Sequence, residues 1–163
     1  MPNDQQKKAA LAAVPFWYNF FLSKGVNTEL IPIIISKIAL ETSYFNSNAY
    51  VLNNNPGGMT WNRNYLKRPG TSIGIARPKK EGGNYVKYDT LQTAGNDYLR
   101  IISLKGRAGS PIDAPTIPDF VRRLKRNGYF TSDPQQYLEN IQSIIKRLDS
   151  WVNFDALEKK KPI

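Results

Sequence analysis

Glu41 closes a run, Thr28 to Glu41, whose apolar residues recur at helical spacing. At 100° per residue Leu30, Ile31, Ile34, Ile35, Ile38 and Phe45 form one stripe, and Glu41 falls on its edge. A carboxylate placed beside apolar side chains is costly to ionise, and the usual relief is a carboxyl that keeps its proton near neutral pH. That is what a general acid needs. The same position also suits a boundary Glu that reaches water or pairs with a lysine. After the helix, Asn46 to Gly58 is rich in Asn, Gly and Pro, a composition that makes an ordered polar loop able to offer amides to a sugar-like ligand.

The residues that are missing narrow the chemistry. With no His, Ser-His-Asp and Cys-His machinery and imidazole ligands are excluded; with no Cys, so are disulfides, thiolate metal sites and thiol nucleophiles. No metal set or cofactor is expected, and acid-base work falls to carboxylates, Tyr and Lys. The 23 Lys and Arg against 13 Asp and Glu give a net charge of +10, so the expected partner is polyanionic: nucleic acid, anionic cell wall or anionic membrane. Four cations crowd Arg122 to Arg126, but no helix-turn-helix spacing, zinc site or aromatic strand motif accompanies them, which favours a solvated or wall-binding face over specific nucleic-acid binding. No apolar run of membrane-spanning length and no signal-peptide pattern is read in the chain.

The elements that must position Glu41 follow from patterning. Asp4 is expected to cap a first helix carrying Leu11, Val14, Phe16, Trp17, Phe20 and Phe21 inward, kinked or divided at Pro15 and closed by Gly25. Thr28 is expected to cap the Glu41 helix, with Pro32 tolerated in its first turn. Ser72–Arg77 and Asn84–Asp89 read as two strands of a hairpin, the second alternating Tyr85 and Lys87 against Val86 and Tyr88. Helices then start near Thr90 or Thr93, at Thr116 and at Asp133, the last with Tyr137, Leu138, Ile141, Ile144, Ile145, Leu148 and Trp151 on a core face. Residues 153–163, ending in Lys159, Lys160, Lys161 and two more, read as a frayed basic tail. The length suits one domain, with a core of about 4–152.

Several motifs occur in a telling order: Ala39-Leu40-Glu41-Thr42-Ser43-Tyr44, then Asn54-Asn55-Pro56-Gly57-Gly58-Met59, a hairpin with an acid, Asp97-Tyr98, and Asn127-Gly128-Tyr129 leading to Asp133-Pro134. This succession resembles the glucosaminidase family of peptidoglycan hydrolases, glycoside hydrolase family seventy-three, which includes flagellar and autolysin-type enzymes of the lysozyme-like superfamily. Phe45 stands where the family commonly has Gly, and one added residue before Asp133 leaves Phe130 as an alternative to Tyr129.

The resemblance implies an α+β, mostly α fold: a lysozyme-like helical domain with a small β-hairpin lobe. It implies cleavage of β-1,4 bonds in peptidoglycan glycan strands at the bacterial cell wall, of the endo-β-N-acetylglucosaminidase type, with a lytic transglycosylase or muramidase as the alternative and an inactive wall- or nucleic-acid-binding module as a second. Glu41 would protonate the leaving oxygen. Glu81, the hairpin acid, would activate water from the opposite wall if the carboxyls stood about 6.5–9.5 Å apart; otherwise the substrate's acetamido group attacks and Tyr129 steadies the charged intermediate. Tyr50, Asn54, Asn55, Trp61 and Tyr88 are the candidates to stack on or hydrogen-bond the sugars, although packing alone would explain Trp61 and Tyr88. Basic side chains would hold the enzyme on anionic wall polymers.

Overall fold

The structure, a computed structural model, describes residues 1–160. Helix α1 (Asp4–Ser23) opens on a capping box at Asn3 rather than on Asp4: Asn3 Oδ1 accepts from the Gln6 backbone while Gln6 Oε1 accepts from the Asn3 backbone. Pro15 lies inside this helix without dividing it. Leu11, expected to face inward, is exposed, and the buried face is instead Ala10, Ala13, Val14, Trp17, Tyr18, Phe20 and Phe21.

Helix α2 (Ile31–Glu41) is the centre of the fold, packed against both α1 and the long α6 (Pro134–Val152). Its start differs from expectation. No side chain caps it; Leu30 is the N-cap, after a turn in which the Leu30 N–H donates to Asn27 O at 2.9 Å, and Pro32 sits in the first turn, where a missing N–H does no harm. Nor is there a single apolar stripe. Every residue from Ile33 to Ala39 is buried, Ser36 and Lys37 included, so α2 is enclosed on all sides as a core helix must be. Each buried Ile here contributes about 1.5–3 kcal/mol of burial free energy.

Helix α3 (Asn48–Asn53), capped by Ser47, leads through the Asn-rich loop and a 3-10 turn (Arg63–Lys67) into the hairpin. Strands β1 (Thr71–Ala76) and β2 (Asn84–Tyr88) pair antiparallel, Thr71 opposite Tyr88 and Ile73 opposite Val86, with an irregularity before Ala76 pairs with Asn84. The hairpin packs on α3. Helices α4 (Leu91–Ile102), α5 (Ile117–Arg126) and α6 follow, each with the side-chain cap the sequence suggests: Thr90, Thr116 and Asp133. The last segment departs from the expected tail. Asn153 caps a further helix, α7 (Phe154–Lys159), whose Phe154 is buried beside Tyr18 with ring centroids 6.4 Å apart. Lys161, the last lysine of the expected basic tail, lies outside the described residues. The whole is mostly helical with one small β-lobe, the lysozyme-like arrangement. No helix among the described residues is long and apolar enough to cross a membrane.

Candidate active site

Glu41 is the last residue of α2, and it lines a groove of about 390 Å³ whose other wall is the hairpin. Ser47, Asn48 and Ala49 of the α3 entrance, with Asn55 and Gly58, continue the helical side; Ile75, Ala76, Arg77, Pro78 and Tyr85 form the hairpin side. The immediate partner of Glu41 is not the oil expected from the stripe. Lys37, one turn earlier and 4% exposed, places Nζ 2.5 Å from Glu41 Oε1. Ile34, Ile38 and Phe45 are buried in the core, and the alternative reading, a Glu paired with a lysine, is what the structure contains. Burial works against the Lys37 charge, but Tyr98, Glu41 and Tyr137 and the hydrogen bond to Glu41 outweigh it, and its pKa ends above the ordinary lysine value. Lys37 Nζ also lies 5.3 Å from the Tyr98 ring centroid and 5.9 Å from that of Tyr129, within cation–π range.

Behind Glu41 the chain makes an uncommon turn. Ser43, Tyr44 and Phe45 have φ of 51°, 56° and 61°, three successive side-chain-bearing residues in the left-handed region, at about 1–2 kcal/mol each. A Gly in place of Phe45 would relieve one of the three positions, and this chain holds the turn by contacts instead. Thr42 Oγ1 donates to Ile38 O and accepts from the Phe45 N–H; Gln6 Nε2 donates to Ser43 Oγ; Arg147 Nη1 donates to the Tyr44 hydroxyl; Phe45 packs edge-on to Tyr50.

The asparagine run acts as a bracket. Asn53 Oδ1 accepts from the Ile75 N–H, Asn54 Nδ2 donates to Tyr88 O, and the buried Asn55 donates to Met59 O and Val86 O while accepting from the Gly57 and Met59 N–H groups. Gly74 permits the closest of these approaches, since a Cβ there would sit 2.1 Å from Asn53 Oδ1. Of the three, Asn55 also lines the groove.

The remaining expected sugar contacts are placed elsewhere. Tyr50 is buried, accepts a 3.0 Å hydrogen bond from Trp17 Nε1, and has its phenol pushed up to about 12 chiefly by burial. Tyr88 is fully buried and donates to Asp97 Oδ2, which also accepts from the Tyr65 hydroxyl, while Arg100 binds Asp97 Oδ1 through Nε and Nη2. Burial first, and then Asp97, raises the Tyr88 pKa strongly. Trp61 is half-buried and stacks on Tyr65. Tyr85, which the sequence reading left out of the binding set, is the strand tyrosine that reaches the groove.

Glu81 sits in the hairpin turn, half exposed, with Oε2 3.1 Å from Nη2 of Arg77. Arg77 lines the groove; Glu81 reaches it through that arginine. Tyr129 rather than Phe130 stands beside Lys37: its hydroxyl donates to Ile101 O, whereas Phe130 stacks on Tyr137 at 3.8 Å. The cations of α5 divide. Arg122 pairs with Asp119, Arg123 donates to Ser110 O, and Lys125 donates to the Thr131 and Ser132 carbonyls, so the last two tie loops down and only part of the basic run is a free face.

The catalytic domain of the autolysin Auto from Listeria monocytogenes has a similar fold, with a TM-score of 0.58 at 14% identity, over 93% of this chain and 90% of that one. No curated protein sequence matches the chain. The family model of glucosaminidases, described as mannosyl-glycoprotein endo-β-N-acetylglucosaminidase, matches residues 23–150, from the end of α1 nearly to the end of α6, and includes every element that lines the groove. The order of motifs around Glu41 and this match agree, and the chain belongs to the glucosaminidase family of glycoside hydrolases.

Proposed function

We propose that the protein is a peptidoglycan hydrolase that cleaves β-1,4 glycosidic bonds of the glycan strand as an endo-β-N-acetylglucosaminidase, with Glu41 as the general acid. One observation carries the reading: Glu41 lies at the wall of a groove between the helical body and the β-lobe in a chain of the glucosaminidase family. Ser47, Asn48 and Tyr85 supply hydroxyl, amide and aromatic surfaces of the kind that hold sugar rings. In the reaction Glu41, with Oε1 on Lys37, gives the glycosidic oxygen a proton from Oε2 as the bond to the anomeric carbon breaks. Work at the bacterial cell wall follows from the substrate, and the net charge of +10 favours retention on its anionic polymers.

The second role has two candidates. Glu81 can activate water only by leaving Arg77. Among the described residues lining the groove Glu41 is the one carboxylate, which favours attack by the substrate's own acetamido oxygen, with Tyr129 near the site. The same count supports a lytic transglycosylase as the alternative. Digesting purified peptidoglycan, reducing the products and weighing them tests both: a glucosaminidase leaves N-acetylglucosamine at the new reducing end, a muramidase leaves N-acetylmuramic acid there, and a transglycosylase leaves an anhydro sugar lighter by one water. No product with the wild type, or full product with Glu41→Gln, overturns the proposal.

A further inference from the structure

Lys37 is the one buried lysine among the described residues: 4% exposed, in a stretch, Ile33 to Ala39, whose other residues are Ile, Ser and Ala. Lysine is rarely buried without a partner, because taking an ammonium out of water is expensive. Packing does not call for it, since an apolar side chain of that length would fill the same space and buried ion pairs are commonly replaceable by apolar groups at little cost. What the ammonium does contact is specific. It donates one hydrogen bond, to Glu41 Oε1 at 2.5 Å, and its other near neighbours are the rings of Tyr98 and Tyr129. Tyr98 comes from α4, Tyr129 from the α5–α6 connection and Tyr137 from α6, so three separate parts of the chain enclose one cation beneath the carboxyl that faces the groove.

We propose that Lys37 is a positioning residue for Glu41: its ammonium aims the carboxyl at the groove and stabilises the carboxylate that proton transfer leaves behind. The inference rests on the reading of Glu41 as the general acid. Glu41 enters the reaction carrying a proton taken up from solvent. That proton passes to the glycosidic oxygen, the bond between that oxygen and the anomeric carbon breaks with its electron pair going to oxygen, and the carboxylate left behind is the ion-paired form seen on Lys37. Lys37 keeps all of its protons throughout. A charge fixed in a water-poor place before the reaction needs no reorganisation when the negative charge appears, which is where such groups contribute most. Cation–π contact with Tyr98 and Tyr129 keeps the ammonium in place while Glu41 Oε2 faces the substrate.

The test uses the full chain and soluble peptidoglycan fragments, with Lys37→Met, Lys37→Gln, Lys37→Arg and Glu41→Gln compared for folded fraction, kcat and KM. In whichever neutral variant is folded, kcat should fall by about 100-fold, the scale of removing one charge-stabilising group, while KM stays within about twofold. Lys37→Arg, which keeps the charge, should recover part of the loss. A folded neutral variant with wild-type kcat overturns the role of Lys37, and so does a loss that tracks only the unfolded fraction or appears only in KM. Activity in Glu41→Gln overturns the acid assignment itself, whatever Lys37 does, so the two failures are told apart.

Discussion

Glu41 and Arg77 line one groove from opposite walls, the first on the end of α2 and the second just beyond β1. Among the described residues lining it they are the only charged ones, so a glycan bound there would meet an acid on the helical side and a guanidinium on the hairpin side. Arg77 is presently occupied by Glu81 and by the Gly82 carbonyl. An exposed pair of this kind is worth about 0–1 kcal/mol, so a carboxylate on the substrate can displace Glu81 cheaply. Arg77→Gln should therefore raise KM for peptide-bearing glycan by several-fold while leaving cleavage of uncharged chito-oligosaccharides, where measurable, unchanged. Equal effects on both substrates would remove the anion from the account.

Replacing Glu41 separates chemistry from stability. Glu41→Gln should abolish turnover but melt close to wild type, because the amide oxygen still accepts from Lys37. Glu41→Ala leaves a buried ammonium without its acceptor. Breaking a buried pair from one side costs about 3–5 kcal/mol, and a value toward the lower end is expected here because the Glu41 side chain is 28% exposed. Urea unfolding of the two variants checks the difference; equal midpoints would mean that Lys37 finds another partner.

Tyr85 and Tyr88, three apart on β2, should respond in opposite ways. Tyr88→Phe removes a buried hydroxyl from Asp97 and should lower stability by about 1–3 kcal/mol with KM unchanged. Tyr85→Ala should leave the melting temperature nearly unchanged and weaken substrate binding. Calorimetry and substrate titration on the same two proteins decide whether the groove has been assigned to the right face of the strand.

The left-handed turn behind Glu41 gives a test of stored strain. Ser43 is exposed, and its φ of 51° suits Gly better than any residue with a Cβ. Ser43→Gly gives up the Gln6 bond to Oγ but relieves about 1 kcal/mol of strain, so stability should be unchanged or slightly higher. Ser43→Val should destabilise by more than that. If both variants melt alike, the backbone conformation is not costing the protein anything.

Alkali should unfold the protein through its phenols. Tyr50, Tyr65, Tyr88, Tyr98, Tyr129 and Tyr137 all have pKa values raised above 10.0, in each case first by burial. The folded state thus keeps protons that the unfolded chain releases above about pH 10, and stability falls as pH rises through that range. Lys37, raised from 10.5, adds to the fall above that pH. Tyrosinate absorbance should appear together with loss of helical circular dichroism; phenols titrating one by one in a folded protein would contradict it.

What was legible in the sequence was mainly what depends on local spacing. Glu41 at a helix end, the hairpin and its alternation, and the caps at Thr90, Thr116 and Asp133 all follow from patterns a few residues long. Lys37 was missed because one charged residue inside an isoleucine run reads as the polar edge of a stripe; only the enclosing helices show that α2 has no polar edge. Alternation separated Tyr85 from Tyr88 but did not say which face meets the helices, a choice made by Asp97 and Tyr65 arriving from elsewhere in the chain. Thr28 has the right chemistry for a cap, yet the Asn27 turn carries the chain past it to Leu30 and Pro32. Within the expected tail, Phe154–Lys159 is a helix because Phe154 finds Tyr18, a contact across most of the sequence.

Three neighbouring asparagines, each spending its amide on the hairpin or on the loop beneath it, rivet the smaller lobe to the body of the protein. A jaw bolted in that manner resists swinging, and a glycan entering the groove would meet an aperture set by those three bolts.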